Sequence, residues 1–294
     1  MTGNPYNKIE SDILKHTRTL PDQAGRERTV IKDQEAINIA SENKVDLYVI
    51  YNTALKKKIL PYRYIRNLES ITIDEQLKLL ESSVSVIGAG GLGGQAIILL
   101  ARLGVGNLTV VDHDEFDESN LNRQAFCTID VIGKSKAETA KETLAKINPA
   151  VNVTAFHTRL DNSNADTILT GSEVIVDALD NISDRFILEN QAKKLGIPLV
   201  HGAVAGFEGQ VMTIFPEDAG MESLYGKNRN TNPEKSPVSI LGVPCFTPAI
   251  IASYQIIEVV KFLLDREGLF RNMLFYMDLT KGEYRKLRFR NDLT

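Results

Sequence analysis

Hydrophobic and polar positions along the chain fall into a regular alternation from residue 77 onward. The segment "VSVIGA" (84–89) is an apolar run, and a glycine-rich turn leads from it into an apolar helix, Gly94 to Leu103. A second run, "NLTVVD" (107–112), precedes the amphipathic "KAETAKETLAKIN" (136–148), and "NVTAFHTRL" (152–160) supplies a third strand. "SEVIVDAL" (172–179) and "IPLVHGAV" (197–204) bracket a helix, "DRFILENQAKKLG" (184–196), that ends at Gly196. Strands that are apolar throughout are buried on both faces, and helical segments of about 10–15 residues between them imply βαβ units around a parallel sheet.

The pattern changes at "GQVMTIF" (209–215). Residues 216–242 are rich in Gly, Pro, Asn and Ser, exceed an ordinary connection and read as a mobile substrate loop. "TPAIIASYQIIEVVKFLLD" (247–265) is a helix too apolar for an open surface, and "LFYMDLTKGEYRKLRFRND" reads as a hairpin turning at Lys281–Gly282. Upstream, residues 1–29 show no sustained period and read as loosely attached. "VIKDQEAINIASENK" suggests a short helix and "VDLYVIY" (45–51) a strand. The expected fold is α/β: a Rossmann-like, doubly wound, mainly parallel sheet with an antiparallel C-terminal extension. Residues 1–60 form a small N-terminal arm or annex to a main domain at 61–294.

Composition changes this picture little. Apolar residues at 43% and charged residues at 24% are ordinary for a globular chain, and a net charge of −4 gives no electrostatic case for a nucleic-acid partner. The apolar runs fall short of the roughly 18–20 residues of a membrane span and the first 20 residues lack a leader's apolar core, so no membrane partner and a cytoplasmic location are expected. The two cysteines, Cys127 and Cys245, form no C-x-x-C pair, which argues against a disulfide framework.

Gly88, Gly90 and Gly93 satisfy G-x-G-x-x-G between a strand and a helix. The first permits a tight turn, the second lets backbone approach a phosphate or ribose, and the third brings helix and sheet together. Asp112 closes the second strand about 20 residues later, where an acidic side chain takes ribose hydroxyls. Hydride transfer needs a further catalytic group. Of the four histidines, His157 reads as a core residue and His201 as a weak site candidate, so an NAD-dependent oxidoreductase stays a remote alternative. Downstream, Arg123, Lys134 and Lys136 can converge on a polyphosphate, with Asp114 and Asn120 orienting ribose or phosphate. Solvated surface positions are the bland reading of the same residues. Asp177 and Asp180 stand where the fourth strand ends. Asp180 is placed to hold Mg²⁺, provided that Asp184 caps the following helix and leaves it free.

The motifs "GAGGLGG", "NLTVVDHDEFDESNLNRQ", "IGKSKAE", "DALDNISDR", "GIPLVHGAVAGFEGQV" and "RYIRN" together resemble the MoeB/ThiF/HesA adenylating enzymes, relatives of ubiquitin-activating enzymes, from about Pro61 to Asn291. The resemblance implies a homodimer with two ATP sites, each adenylating a carboxylate, typically the C-terminal Gly-Gly of a ubiquitin-like sulfur carrier. It implies that Gly91 approaches ATP, that Asp112 takes the ribose, and that Asn120, Arg123 and Lys136 contact the phosphates. Asp180 then holds Mg²⁺, with Asn181 and Arg185 of the same motif in the nucleotide site. Arg66 matches an arginine supplied across the dimer, beside Asn67 where a glutamine is usual. Two departures stand out. The C-x-x-C pairs of a family zinc site are missing, so no zinc is expected. The segment 217–243 also holds no cysteine, leaving Cys245 as a covalent surrogate against its reading as a buried structural thiol. A peptide or small-molecule carboxylate is the alternative substrate.

Overall fold

The computed structural model describes residues 5–226 and 237–289. From residue 5 to residue 61 the chain builds a small α/β unit. Helix α1 (Pro5–His16) is followed by an antiparallel pair, β1 (Arg18–Pro21) and β2 (Glu27–Ile31), then α2 (Asp33–Asn43), α3 (Leu47–Lys56) and β3 (Leu60–Pro61), which pairs parallel to β2. Two expectations are corrected here. Residues 5–29, the described part of the segment 1–29, are not loosely attached: Ile9 and Ile13, one helical turn apart, are buried against α2 and α3. "VDLYVIY" is not a strand. Leu47, Ile50, Tyr51, Ala54 and Leu55 are the buried face of α3, an i, i+3, i+4, i+7, i+8 spacing that appears only once the window extends past Tyr51.

The apolar cluster of this unit continues past residue 60 to Tyr64, Leu80 and Ala150. Tyr64 is the joint. Its hydroxyl accepts from Asn148 Nδ2 at 2.9 Å, and the same amide donates to Ala101 O at 2.8 Å. Burial pushes the Tyr64 phenol up to about 12. Its ring lies over Gly104, which ends a helix at φ +85° and where a Cβ would stand 2.5 Å from the hydroxyl oxygen. Beside it Arg63 forks onto Asp33 and donates to Ile147 O at 3.0 Å.

The remaining elements are α4 (Ile73–Glu81), β4 (Ser83–Ile87), α5 (Gly91–Leu103), β5 (Asn107–Val111), α6 (Lys136–Ile147), β6 (Asn152–Phe156), α7 (Ala165–Leu169), β7 (Val174–Asp177), α8 (Ile182–Leu195), β8 (Leu199–Ala205) and β9 (Glu208–Ile214). These are followed by the short α9 (Glu222–Tyr225) and α10 (Pro237–Leu241), then α11 (Phe246–Leu263), β10 (Met273–Asp278) and β11 (Glu283–Arg288). One eight-stranded sheet runs β11-β10-β9-β8-β7-β4-β5-β6. Strands β6, β5, β4, β7 and β8 are parallel, and β9, β10 and β11 continue antiparallel, as expected. The third strand stops at Phe156, short of residue 160, and α7 was not foreseen. Of the expected loop 216–242, residues 227–236 lie outside the described residues, while α9 and α10 occupy its two ends.

Helix α11 reaches 18 residues and by length and composition is apolar enough to cross a bilayer, in contrast to the expectation that every apolar run falls short of a span. It packs against α5, β8 and β9 and buries Ile251, Ala252, Ile256 and Val259. Its Glu258 is fully buried and satisfied by Thr213 Oγ1 at 2.8 Å, Phe270 N at 2.5 Å and Lys261 Nζ at 2.9 Å.

Gly104→Ala places a non-glycine residue at positive φ and drives a methyl into Tyr64, so it should cost about 2 kcal/mol or more and lower the urea midpoint. An unchanged midpoint would mean that Tyr64 is not seated as described.

Candidate nucleotide site

Three chain segments meet almost without side chains at the end of β4. Gly88 has φ +97°, and a Cβ there would lie 2.6 Å from Ala178 O. A Cβ at Gly93 would lie 1.8 Å from Gly88 O. The first and third glycines therefore do what the motif requires: one turns the chain and the other lets α5 sit on the sheet. Gly90 precedes the helix, and a Cβ there would meet only the Gln124 side chain, at 3.7 Å. Gly91, the first residue of α5, faces Arg123 and Pro248. A cleft of about 520 Å³ opens here, at the carboxyl ends of β4, β5 and β7. The connections diverge to the two sides of β4, so this is the topological switch point, where open α/β sheets bind ligands.

Asp112 forms one wall. Its Oδ2 accepts from Ala89 N at 2.6 Å and its Oδ1 from Asp114 N at 2.8 Å, which fixes a carboxylate that is 9% exposed. Lys136, at the start of α6 and 6% exposed, donates to Asp114 Oδ2 at 2.8 Å. Partial burial would raise the Asp114 carboxyl, but the hydrogen bond and charge of Lys136 outweigh it and hold the group below the usual range. Asn120 is buried and accepts from Asp117 N at 3.1 Å, while Arg123 Nη1 donates to Ser119 O and Asn122 Oδ1, both at 2.9 Å. Gly88, Gly90, Gly91, Asp112, Asp114, Asn120, Arg123 and Lys136 all line the cleft; Gly93 lies behind it, and Lys134 is exposed and not part of the lining. Gln124 also lines it, 7% exposed and with its Oε1 unpartnered among the described residues.

The opposite wall follows β7. Asp180 is exposed and lines the cleft, and among the described residues its only hydrogen bond is a long 3.4 Å contact from Asn181 Nδ2. It is free of capping, but not because of Asp184. Asn181 is the cap of α8, its Oδ1 accepting from Asp184 N at 2.8 Å. Asp184 instead is 6% exposed and gripped by Arg159, Nε to Oδ2 at 3.2 Å and Nη2 to Oδ1 at 2.6 Å. One exposed carboxylate in a cleft that also holds the cations Arg123 and Lys136 has donor chemistry that suits Mg²⁺, which takes one or two carboxylates together with phosphate oxygens and water. Asp112, His113 and Asp114 also bring ligand atoms within 4.8 Å of one another. There, however, Lys136 and two backbone N–H groups already hold the carboxylates, which disfavours an ion.

Arg185 is 6% exposed and reaches the cleft only in part. Its Nη1 donates to Tyr225 Oη at 2.9 Å and its Nη2 to Leu179 O at 2.5 Å, and its Nε lies 3.7 Å from Asp177. Asp177 and His201 are fully buried and bonded to each other at 2.7 Å, so this carboxylate and this histidine belong to the interior rather than to the ligand surface. His201 Nε2 lies 3.2 Å from Tyr225 Oη. Burial depresses the His201 pKa, and Asp177 only partly offsets that.

His157, expected in the core, is exposed with Nε2 3.0 Å from His113 O. Cys127 is buried. Cys245 is exposed rather than buried and immediately precedes α11, between the cleft residues Val243 and Pro248. Arg66 is exposed, lies outside the cleft of its own chain and has no side-chain partner among the described residues. Gln124 and the Arg159–Asp184 pair were missed in the sequence. The first adjoins Arg123 in "NLNRQ" and was open to notice; nothing local signals the second.

Residues 62–293 match the ThiF family. A SAMP-activating enzyme E1 of Haloferax volcanii is 40% identical over 225 residues, spanning 74% of this chain and 82% of that protein. A probable molybdopterin-synthase adenylyltransferase of Porphyra purpurea is 35% identical over 230 residues, spanning 77% of this chain and 60% of that protein. Among solved structures, PaaA superposes with a TM-score of 0.64 at 21% identity, covering 78% of this chain and 82% of that one. E. coli MccB with ATP gives 0.63 at 20% identity, covering 77% and 71%. At these identities the two structures speak to the fold alone.

The buried His201 yields a pH dependence. Unfolded, it binds a proton below about pH 6.5; folded, its depressed pKa keeps it neutral to lower pH, so the unfolded state binds more protons and stability falls as pH drops below that value. The melting temperature should decline from pH 7 to pH 5, and His201→Asn should flatten that slope. Parallel slopes would place the titration elsewhere.

Proposed function

The chain belongs to the ThiF family, and on that footing we propose that it is an ATP-dependent adenylyltransferase. It activates the C-terminal glycine of a ubiquitin-like sulfur carrier as an acyl-adenylate, releasing pyrophosphate. The observation that carries this reading is one cleft joining a backbone-oriented Asp112, the side-chain-free start of α5, the cations Arg123 and Lys136, and an exposed Asp180. The similarity to a SAMP-activating enzyme E1 and to a probable molybdopterin-synthase adenylyltransferase supports it. Because the chain spans about 60% of several of these relatives, any further activity that they carry is not transferred.

In this reading Asp112 accepts the ribose hydroxyls, while Gly90 and Gly91 leave the positive end of α5 open to phosphate. Asn120, Arg123 and Lys136 hold the phosphate oxygens. Asp180, steadied by Asn181, holds Mg²⁺, which when bound neutralises triphosphate charge. Arg185 acts from behind, its bond to Leu179 O fixing the turn that carries Asp180. The substrate carboxylate attacks the α-phosphorus, forming a C–O–P bond as the α–β bridge breaks and pyrophosphate leaves. It is already ionised at neutral pH, so the work lies in bringing two anions together in line rather than in removing a proton. Arg66 serves the triphosphate of a second copy, making the active unit a homodimer.

ATP–pyrophosphate exchange should appear only with a carrier ending in Gly-Gly, and Asp180→Ala should lower it at least about 100-fold. Exchange driven instead by a small acid or a short peptide would replace the carrier with that substrate. Arg66→Ala and Asp180→Ala, each inactive alone, should recover about a quarter of wild-type exchange when mixed and re-equilibrated, since half the dimers then hold one intact site of two. No recovery would overturn the shared-site dimer.

A further inference from the structure

We infer that Arg159, locked flat by Asp184, is the stacking platform for the nucleotide base and so contributes to base recognition, a role that rests on the ATP reading of this cleft. The cleft has two ends. The glycine loop, Arg123 and Lys136 mark the phosphate end, and Asp112, at the tip of β5, marks the ribose. The base must then lie on the far side of Asp112 from the glycine loop. The strand beyond β5 is β6, and the turn that follows it lines the cleft with Thr158, Arg159 and Leu160.

Arg159 is unlike the other cations there. Its fork makes two parallel bonds to a carboxylate that is 6% exposed, while 61% of its own side chain remains open. Asp184 cannot swing away, because Asn181 Nδ2 also donates to its Oδ2, at 2.9 Å. The positive charge is neutralised in place, which makes Arg159 a poor phosphate ligand. What it still offers is a guanidinium plane with one edge held by Asp184 and most of the side chain open, and a plane held in this way is the form in which arginine stacks on bases. Leu160, 6% exposed, supplies an apolar neighbour.

A stacking contact and a phosphate contact separate by how affinity depends on the ligand. With the intact protein, equilibrium binding of ATP, AMP and inorganic tripolyphosphate is measured for wild type, Arg159→Ala and Arg159→Lys, beside the melting temperature of each. Arg159→Ala should weaken ATP and AMP by the same factor, about tenfold, leave tripolyphosphate unchanged, and raise the KM for ATP without lowering kcat. Arg159→Lys, which keeps the charge but loses the plane, should behave as Arg159→Ala does. A loss larger for ATP than for AMP, or one rescued by lysine, makes Arg159 a charge contact and overturns the inference. So does a lowered melting temperature with unchanged affinities, which would make the pair a structural brace. If wild type binds neither ATP nor AMP, it is the nucleotide reading of the cleft that fails.

Discussion

The approach of three backbones at the end of β4 is the constraint from which the site follows. With Gly93 seated on Gly88 O and Gly88 seated on Ala178 O, there is no room for one added carbon at either position. Helix α5 can therefore lie directly on the sheet, sharing one apolar core with α11, and its first turn is held at the cleft floor. The same contact sets the spacing between the β4 and β7 turns. Glycines at these points determine both how tightly the domain packs and how wide its ligand opening is.

Around that floor the charged side chains are largely held by the fold itself. Lys136 is bound to Asp114, Arg159 to Asp184, and Arg185 to Tyr225 and a carbonyl. Groups fixed in this way need little rearrangement when a ligand arrives, which lowers the ordering cost of binding. Asp180 and Arg66 differ, being exposed and weakly held or unpartnered among the described residues. They are the two positions to which the proposed chemistry gives an ion and a second subunit.

Features fixed by local chain chemistry were legible in the sequence. Apolar runs gave the parallel strands, and the glycine spacing gave the turn, the cleft and the helix approach. Where two local rules compete, the sequence misled. "VDLYVIY" carries β-forming residues, yet its burial follows a helical period that only a longer window exposes. Asn181 and Asp184 are both good caps, and only the folded turn decides that Asn181 takes the role and Asp184 the salt bridge. Features made by distant segments were not legible at all. Arg159 with Asp184, His201 with Asp177 and Tyr225, and Cys245 set out at the surface beside the cleft are products of strand order.

The mounting of the N-terminal unit carries a mechanical meaning. Tyr64 is seated on Gly104 and held by Asn148, and Arg63 is pinned to Asp33 and to the end of α6. Arg66 leaves the surface directly after these two anchors. The annex thus braces, through its inner face, the chain segment that carries this exposed arginine. Tyr64, Gly104 and Asn148 form a single joint two residues before Arg66, so the backbone that carries this side chain is fixed from within the fold.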